Sequence, residues 1–148
     1  MRVTNSILFT GLLTALTLPV IAADQLQTTS LADIKWSPCD STNAQDPCQA
    51  SYFRGNPKKE PNHSYFRVPK GYSFEPHWHK TNSYIVVLNG VFAIGAEGDS
   101  KGTPLRVGDY AYVAANWVHW LMCEVGECVA YYYVDGPSSY IDVKDKRP

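Results

Sequence analysis

Short apolar segments rich in β-branched and aromatic residues, each bounded by turn formers, most constrain what this chain can fold into. They follow one another from residue 64 onward as SYFRVP, SYIVVLNGVFAIGA, AYVAANWVHWLMC and CVAYYYVDG. Between them lie PKGYSFEP, EGDSKGTPLRVGD and GPSS, which carry Gly, Pro, Asp and Ser. This punctuation predicts short strands joined by turns, and therefore an all-β sandwich or barrel.

The pair Asn89-Gly90 lies inside the second of these segments. Both residue types tolerate the positive φ angles of tight turns, so the pair predicts a β-hairpin. One strand would end near Leu88 and the next would begin near Val91.

The N-terminal residues have the composition of an export signal. Arg2 precedes an uncharged apolar run from Ile7 to Ala22, which ends in small residues. The run is short for a membrane span, and no stop-transfer segment follows it. We therefore expect a secretory signal peptide over residues 1–23 and a periplasmic or secreted protein. The alternative is a retained N-terminal anchor.

The remaining chain is long enough for one domain. Residues 24–62 are rich in Pro, Asn, Asp, Ser and Lys and predict an irregular N-terminal arm. Residues 63–148 hold the strand-like segments and would form a β-barrel domain. The net charge is −1 at pH 7 and no basic block occurs, which argues against nucleic acid or a membrane surface as the main partner.

The chain contains four cysteines. If it is exported, this even number in an oxidising compartment predicts disulfides. Cys39 and Cys48 bracket the turn-forming stretch DSTNAQDP, which favours a local bond between them. Cys123 and Cys128 bracket EVGE and could face each other across a hairpin turn at Gly126. The alternative is a zinc site, although the spacings do not resemble paired CxxC knuckles.

Two histidines separated by one residue, His77 and His79, are the candidate start of a metal site. Alternate residues of a strand point to the same face, so both imidazoles can converge on one point. His119 lies in another strand-like segment, and a barrel could bring it opposite the first two. Three imidazoles suit Fe, Zn, Mn, Ni or Cu and leave positions open for other ligands. The fourth histidine, His63, is expected to be exposed in a loop.

The residues around His77 and His79 resemble the first of two sequence motifs of the cupins, a superfamily of small jelly-roll β-barrels. That motif reads G-x5-H-x-H-x3,4-E-x6-G. Gly71, the two histidines and Gly90 match it, and Ser83 stands at the glutamate position.

The second cupin motif reads G-x5-P-x-G-x2-H-x3-N. Gly108 and His119 match it, while Ala114, Asn116 and Cys123 stand at the Pro, Gly and Asn positions. Within the cupins the chain is similar to the ChrR-like group, whose pattern is PPHWH followed by a V-x-V-L-x-G-x-F run. This sequence has EPHWH and then IVVLNGVF. The resemblance implies a single cupin jelly-roll barrel with an irregular N-terminal arm.

The resemblance also implies a divalent metal ion, either Fe, Zn, Mn or Ni, bound by His77, His79 and His119, hereafter the three-His cluster. Cupins usually add a glutamate, whereas the hydroxyl of Ser83 is a poor ligand. Three outcomes stay open: a three-His site like that of the three-His cupin dioxygenases, a replacement ligand from Glu75 or Tyr84, or a barrel without a metal in use. Cys123 is a further candidate for a soft fourth ligand.

A small-molecule ligand is expected in the barrel, with Tyr84, Tyr131 and Tyr133 as candidate substrate-binding residues. Tyr131 and Tyr133 share one strand face, and Tyr132 has the other. The enzymatic hypothesis is a dioxygenase-type reaction on a small molecule. The alternative is a non-catalytic cupin that binds or senses a metal or a small molecule. Cupins are often dimers, so a homodimer is expected, and no membrane contact once the signal peptide is removed.

Overall fold

Nine strands of one antiparallel sheet form almost all of the regular structure in this computed structural model, which describes residues 26–144. The predicted signal peptide lies outside the described residues. After a 3-10 helix at Leu31–Asp33, the strands are β1 (Ser37–Pro38), β2 (Gln49–Gly55), β3 (Asn62–Val68), β4 (Ser73–Trp78), β5 (Ser83–Ala96), β6 (Thr103–Leu105), β7 (Tyr110–Val113), β8 (His119–Val134) and β9 (Ile141–Asp142). The prediction of an all-β fold is confirmed. No helix within residues 26–144 is long and apolar enough to cross a bilayer.

Strand β8 is the element on which the rest of the sheet is assembled. One of its edges pairs with β5 along almost its whole length. The other edge pairs with β4 near His119 and with β3 near Val134. Strands β1 and β2 extend the sheet beyond β3, β9 extends it beyond β4, and β6 and β7 pair with the two halves of β5.

The inner face of the curled sheet forms one hydrophobic core, because side chains alternate between the faces of a strand. In β3 the alternation buries Asn62, Ser64, Phe66 and Val68. In the first half of β5 it buries every second residue from Ser83 onward. The core cluster contains Cys48, Ala50, Phe66, Val68, Ile85, Val87, Phe92, Ile94, Leu105, Val113, Leu121, Cys123, Cys128 and Ala130.

The pair Asn89-Gly90 does not form the predicted hairpin, and that prediction was wrong. Strand β5 continues through it, and the register between β5 and β8 shifts there. Asn89 Nδ2 donates a hydrogen bond of 2.6 Å to the carbonyl oxygen of Glu127 in β8. Strand β8 pairs with β5 on both sides of Gly90, so the chain does not turn back there. The positive φ of Gly90, 76°, therefore belongs to a β-bulge within β5.

Both predicted disulfides are present, Cys39–Cys48 and Cys123–Cys128. The second one does not join two strands across a hairpin, contrary to expectation. Both of its cysteines belong to β8, and the disulfide closes a bulge of the four intervening residues opposite Gly90. The turn formers in EVGE thus shape a bulge inside one long strand.

The arm predicted as irregular contains strand β2, which pairs with β3. Ala50 of β2 faces the core, and Phe53 contacts the ring of Tyr65 on the outer face with 4.8 Å between ring centroids. The prediction missed this strand because its other positions are mainly polar and its flanks are rich in turn formers.

We expect Gly90→Ala to destabilise the fold by roughly 1 kcal/mol or more beyond Gly98→Ala, since overpacking adds to the cost of left-handed backbone. The two glycines have φ of 76° and 84°, so that backbone cost is shared. Only at Gly90 would the new Cβ meet backbone, 2.7 Å from the carbonyl oxygen of Glu127, whereas Gly98 has open space. Urea unfolding of both variants measures the difference, and equal losses would contradict a rigid bulge in β8.

Candidate metal centre

The three-His cluster lies on the inner face where β4 and β8 meet. His77 and His119 are directly opposite each other in the register of these strands, with ring centroids 4.3 Å apart. The ring of His79 lies 4.8 Å from that of His77 and 5.2 Å from that of His119. All three side chains are buried, and one ring nitrogen from each lies within 4.8 Å of the others. The fold thus gathers the three histidines singled out from the sequence.

A backbone carbonyl holds each imidazole of the cluster through Nδ1. A carbonyl oxygen can only accept a hydrogen bond, so Nδ1 carries the proton and Nε2 keeps its lone pair. Such outer contacts are typical of metal-binding histidines, because they fix the tautomer and the ring orientation. The pairs, donor first, are His77 with Glu75 at 2.7 Å, His119 with Trp117 at 3.0 Å, and His79 with Ser139.

Burial keeps the three imidazoles neutral. Desolvation lowers the pKa of His77 to about 3 and that of His119 to about 4, and it also lowers the pKa of His79. The neighbouring imidazoles lower the pKa of His77 further. Neutral imidazoles with free Nε2 lone pairs are the form that binds divalent transition metals, so these residues fit a metal ion.

Ser83 occupies the glutamate position of the first motif and faces the same interior. Its side chain is 1% exposed, and its Oγ has no hydrogen-bond partner among the described residues. Neither proposed replacement lies with the cluster: Glu75 is exposed beside a register shift in β4, and Tyr84 has the opposite face of β5. Cys123 is held in a disulfide. Within residues 26–144 no carboxylate joins the three imidazoles.

The turn before β8 positions His119. Asn116 stands at the glycine position of the second motif and has φ of 63°, a left-handed conformation that Asn tolerates better than most residues. The backbone N–H of Asn116 donates a hydrogen bond of 2.8 Å to the carbonyl oxygen of His79. Trp117 stacks on His119 with 5.2 Å between centroids and 11° between ring planes. The departure from the motif at Asn116 therefore preserves the backbone turn.

A segment after β8 completes the site, and the sequence patterns did not indicate it. Tyr140 stacks on His77, with ring centroids 4.1 Å apart and planes 18° apart. The hydroxyl of Ser139 accepts a hydrogen bond of 2.8 Å from the amide of Lys80, and the carbonyl of Ser139 holds His79. Burial raises the pKa of Tyr140 to about 12, so its hydroxyl is protonated at neutral pH.

A cavity of about 580 Å³ adjoins the cluster. Phe66, Phe74 and Leu121 contribute to its apolar wall, and its lining residues also include the hydroxyl-bearing Ser83 and Tyr132. This size and this mixture of an apolar wall with a few polar groups are typical of small-molecule sites.

The tyrosines predicted to bind substrate lie away from this cavity. Tyr84 and Tyr133 contact each other on the outer face with 5.3 Å between ring centroids, and Tyr131 shares a hydrogen bond of 2.7 Å with His63 Nδ1. His63 itself lies half-buried in β3, so its prediction as an exposed loop residue was wrong. Tyr132, whose side chain has the other strand face, lines the cavity. Strand parity alone does not tell which face is interior.

Comparison with known proteins agrees with this architecture. The family model of the ChrR cupin-like domain matches residues 24–138. No curated protein matches the sequence. A solved RmlC-like cupin from Ralstonia eutropha JMP134 is 19% identical, with a TM-score of 0.65, covering 82% of this chain and 76% of that chain.

Two further solved structures are similar. A proposed acetylacetone dioxygenase from Methylibium petroleiphilum PM1 is 17% identical, with a TM-score of 0.65, covering 86% of this chain and 88% of that chain. The complex of Rhodobacter sphaeroides SigE with the anti-sigma ChrR contains a chain 19% identical, with a TM-score of 0.55, covering 72% of this chain and 52% of that chain. At these identities the likeness shows the fold alone, and the jelly-roll prediction is confirmed.

We expect Ser83→Ala to stabilise the fold by about 1 kcal/mol, since a buried hydroxyl without a partner is lost. Ser64→Ala is the matched control, because the Oγ of Ser64 donates a hydrogen bond of 3.4 Å to the carbonyl oxygen of Tyr132. That variant should lose stability. Urea unfolding of both variants measures the two changes, and a loss at Ser83 equal to that at Ser64 would contradict the unpaired hydroxyl.

Lowering the pH from about 7 to about 5 is expected to destabilise the chelator-treated protein. In the unfolded chain each histidine titrates near its ordinary pKa of 6.5, whereas burial lowers the folded pKa to about 3 for His77 and about 4 for His119. The unfolded state therefore binds more protons than the folded state in this window. As a result, the free energy of unfolding decreases as the pH is lowered from about 7 to about 5. Urea titrations across the window measure this slope, which His119→Gln should reduce. A pH-independent free energy of unfolding would contradict the assignment of neutral buried rings.

Proposed function

Because the chain belongs to the family of ChrR cupin-like domains, we propose that it is an exported protein that binds a divalent metal ion beside a small-molecule cavity. The ligands are the Nε2 atoms of His77, His79 and His119. One observation carries this proposal: three buried imidazoles converge, and a carbonyl fixes the Nδ1–H of each. Fe, Zn, Mn and Ni all accept such ligands.

The reaction we propose is of the dioxygenase type on a small organic molecule. A bound divalent ion supplies Lewis-acid chemistry, and iron adds redox chemistry with O2. The chain itself supplies three neutral imidazoles, with no carboxylate joining them among the described residues, and a largely apolar cavity beside them. The fold shared with the proposed acetylacetone dioxygenase supports this class of reaction.

A second candidate is binding or sensing without turnover. The observation that favours it is Ser83, which replaces the motif glutamate and supplies neither a strong ligand nor a base at neutral pH. The similarity to the anti-sigma ChrR supports a regulatory role for the fold. Export would separate this chain from a cytoplasmic sigma factor, so a small molecule or a metal ion is the partner we propose for this role.

Export is supported by two features of the chain. The N-terminal residues have the order of a secretory signal, with Arg2 followed by an apolar run and small residues. All four cysteines form disulfides with a partner close by in the sequence, which fits an oxidising compartment. Mass spectrometry of the protein recovered outside the cytoplasm tests this directly. A chain that still begins at Met1 in the cytoplasmic fraction alone would contradict export.

We expect the purified protein to contain about one transition-metal ion per chain and His119→Ala to contain almost none, because two imidazoles bind far more weakly than three. His63→Ala is the matched control, since that histidine lies on the outer face and should leave the metal content unchanged. Elemental analysis measures the content, and circular dichroism checks that both variants fold. If His119→Ala keeps its metal, the proposed ligands are wrong.

Oxygen uptake separates the two candidate functions. Protein reconstituted with Fe(II) is given a panel of β-diketones in an oxygen electrode. Uptake that requires both the diketone and His119 supports the dioxygenase-type enzyme. Protein that holds one metal ion per chain but consumes no oxygen with any diketone of the panel would contradict the enzyme and support the binding function.

A further inference from the structure

The hydroxyl of Ser83 is an unexplained group in a well-paired interior. Its side chain is 1% exposed and lines the cavity, yet its Oγ has no hydrogen-bond partner among the described residues. A buried hydroxyl without a partner costs stability, so it needs a reason to be there. A ligand in the cavity is the partner that this position offers.

Tyr132 supplies a second hydroxyl at the same wall. Burial raises the pKa of Tyr132 to about 12, and a hydrogen-bonding contact with Ser83 partly offsets that rise. The geometry of this contact falls short of a full hydrogen bond, so the Oγ of Ser83 still lacks a well-formed partner. The phenol is therefore protonated at neutral pH. Both hydroxyls can donate a hydrogen bond to the same acceptor, and a carbonyl oxygen has two lone pairs to accept them.

The charges around the cavity disfavour an anion. No Lys or Arg is among the described residues that line it. Asp40 and Asp46 lie at its rim in the loop that the Cys39–Cys48 disulfide closes. Their carboxylates would repel an incoming anion, and an apolar wall gives an ionised group nothing to offset the loss of its hydration.

We propose that the cavity binds an uncharged, largely apolar molecule whose carbonyl oxygen accepts hydrogen bonds from Ser83 and Tyr132. This rests on the proposed function only in that the molecule would lie beside the three-His cluster. The rings of Phe66 and Phe74, which lie on the wall, fit an aromatic or otherwise flat apolar body. In this chain the position of the motif glutamate thus contacts the substrate.

Three probes of similar shape test the proposal: acetophenone, ethylbenzene, which lacks the oxygen, and benzoate, which carries a charge. Ligand-observed NMR gives the dissociation constant of each with the protein as purified. We expect Ser83→Ala and Tyr132→Phe each to weaken acetophenone binding about tenfold while ethylbenzene binding is unchanged, since one hydrogen bond of this kind is lost. Tyr133→Phe is the matched control on the outer face and should change neither constant.

The charge preference is measured in His119→Ala, where the incomplete cluster leaves no bound ion to attract benzoate. Acetophenone should still bind this variant and should bind more tightly than benzoate. Benzoate binding as tight as acetophenone, acetophenone constants unchanged by both hydroxyl variants, or no saturable binding of acetophenone would each overturn the proposal. Metal content, measured on the same samples, tests the proposed function separately. Protein that holds metal but does not bind acetophenone would contradict this inference alone. Protein that binds acetophenone but holds no metal would contradict the proposed function alone.

Discussion

The hydrogen bonding of strand β8 along both of its edges is the constraint on which the rest of the structure depends. One edge holds β5, and the other holds β4 in one half and β3 in the other half. This arrangement brings His119 opposite His77 and places Tyr132 on the same inner face as Ser83. The bulges at Gly90 and within the Cys123–Cys128 disulfide let the long strands bend while their pairing continues.

The second constraint is the cost of burying three imidazoles, which lose their hydrogen bonds to water. The fold reduces this cost because the rings stay neutral and each Nδ1–H donates to a backbone carbonyl oxygen. These carbonyls belong to three separate places in the chain, before β4 ends, before β8 begins and after β8 ends. The cluster is therefore a product of the whole sheet. Ser83, whose buried hydroxyl has no hydrogen-bond partner among the described residues, lines the same cavity as the three histidines.

The fold class and the three clustered histidines could be predicted from the sequence, because alternation along a strand and the spacing of the two motifs are local patterns. It could not tell which face of a strand is interior, so it favoured Tyr131 and Tyr133 where the structure puts Tyr132 at the cavity. Asn89-Gly90 was ambiguous for a related reason: positive φ serves a hairpin or a bulge, and only the partner strand decides. Ser139 and Tyr140 left no local signal, since their contacts join residues far apart in the chain.

The hydrogen bond from His79 to Ser139 joins residues 60 positions apart, and it sets an order of events during biosynthesis. A growing chain that has reached His79 has no fixed tautomer there, because the carbonyl that imposes it has not yet been made. An ion that met this unfinished chain would find loose imidazoles, which bind many metals with little discrimination. If the cluster binds an ion as proposed, that ion is captured by the folded barrel, and the compartment in which folding finishes determines which ions compete for the cluster.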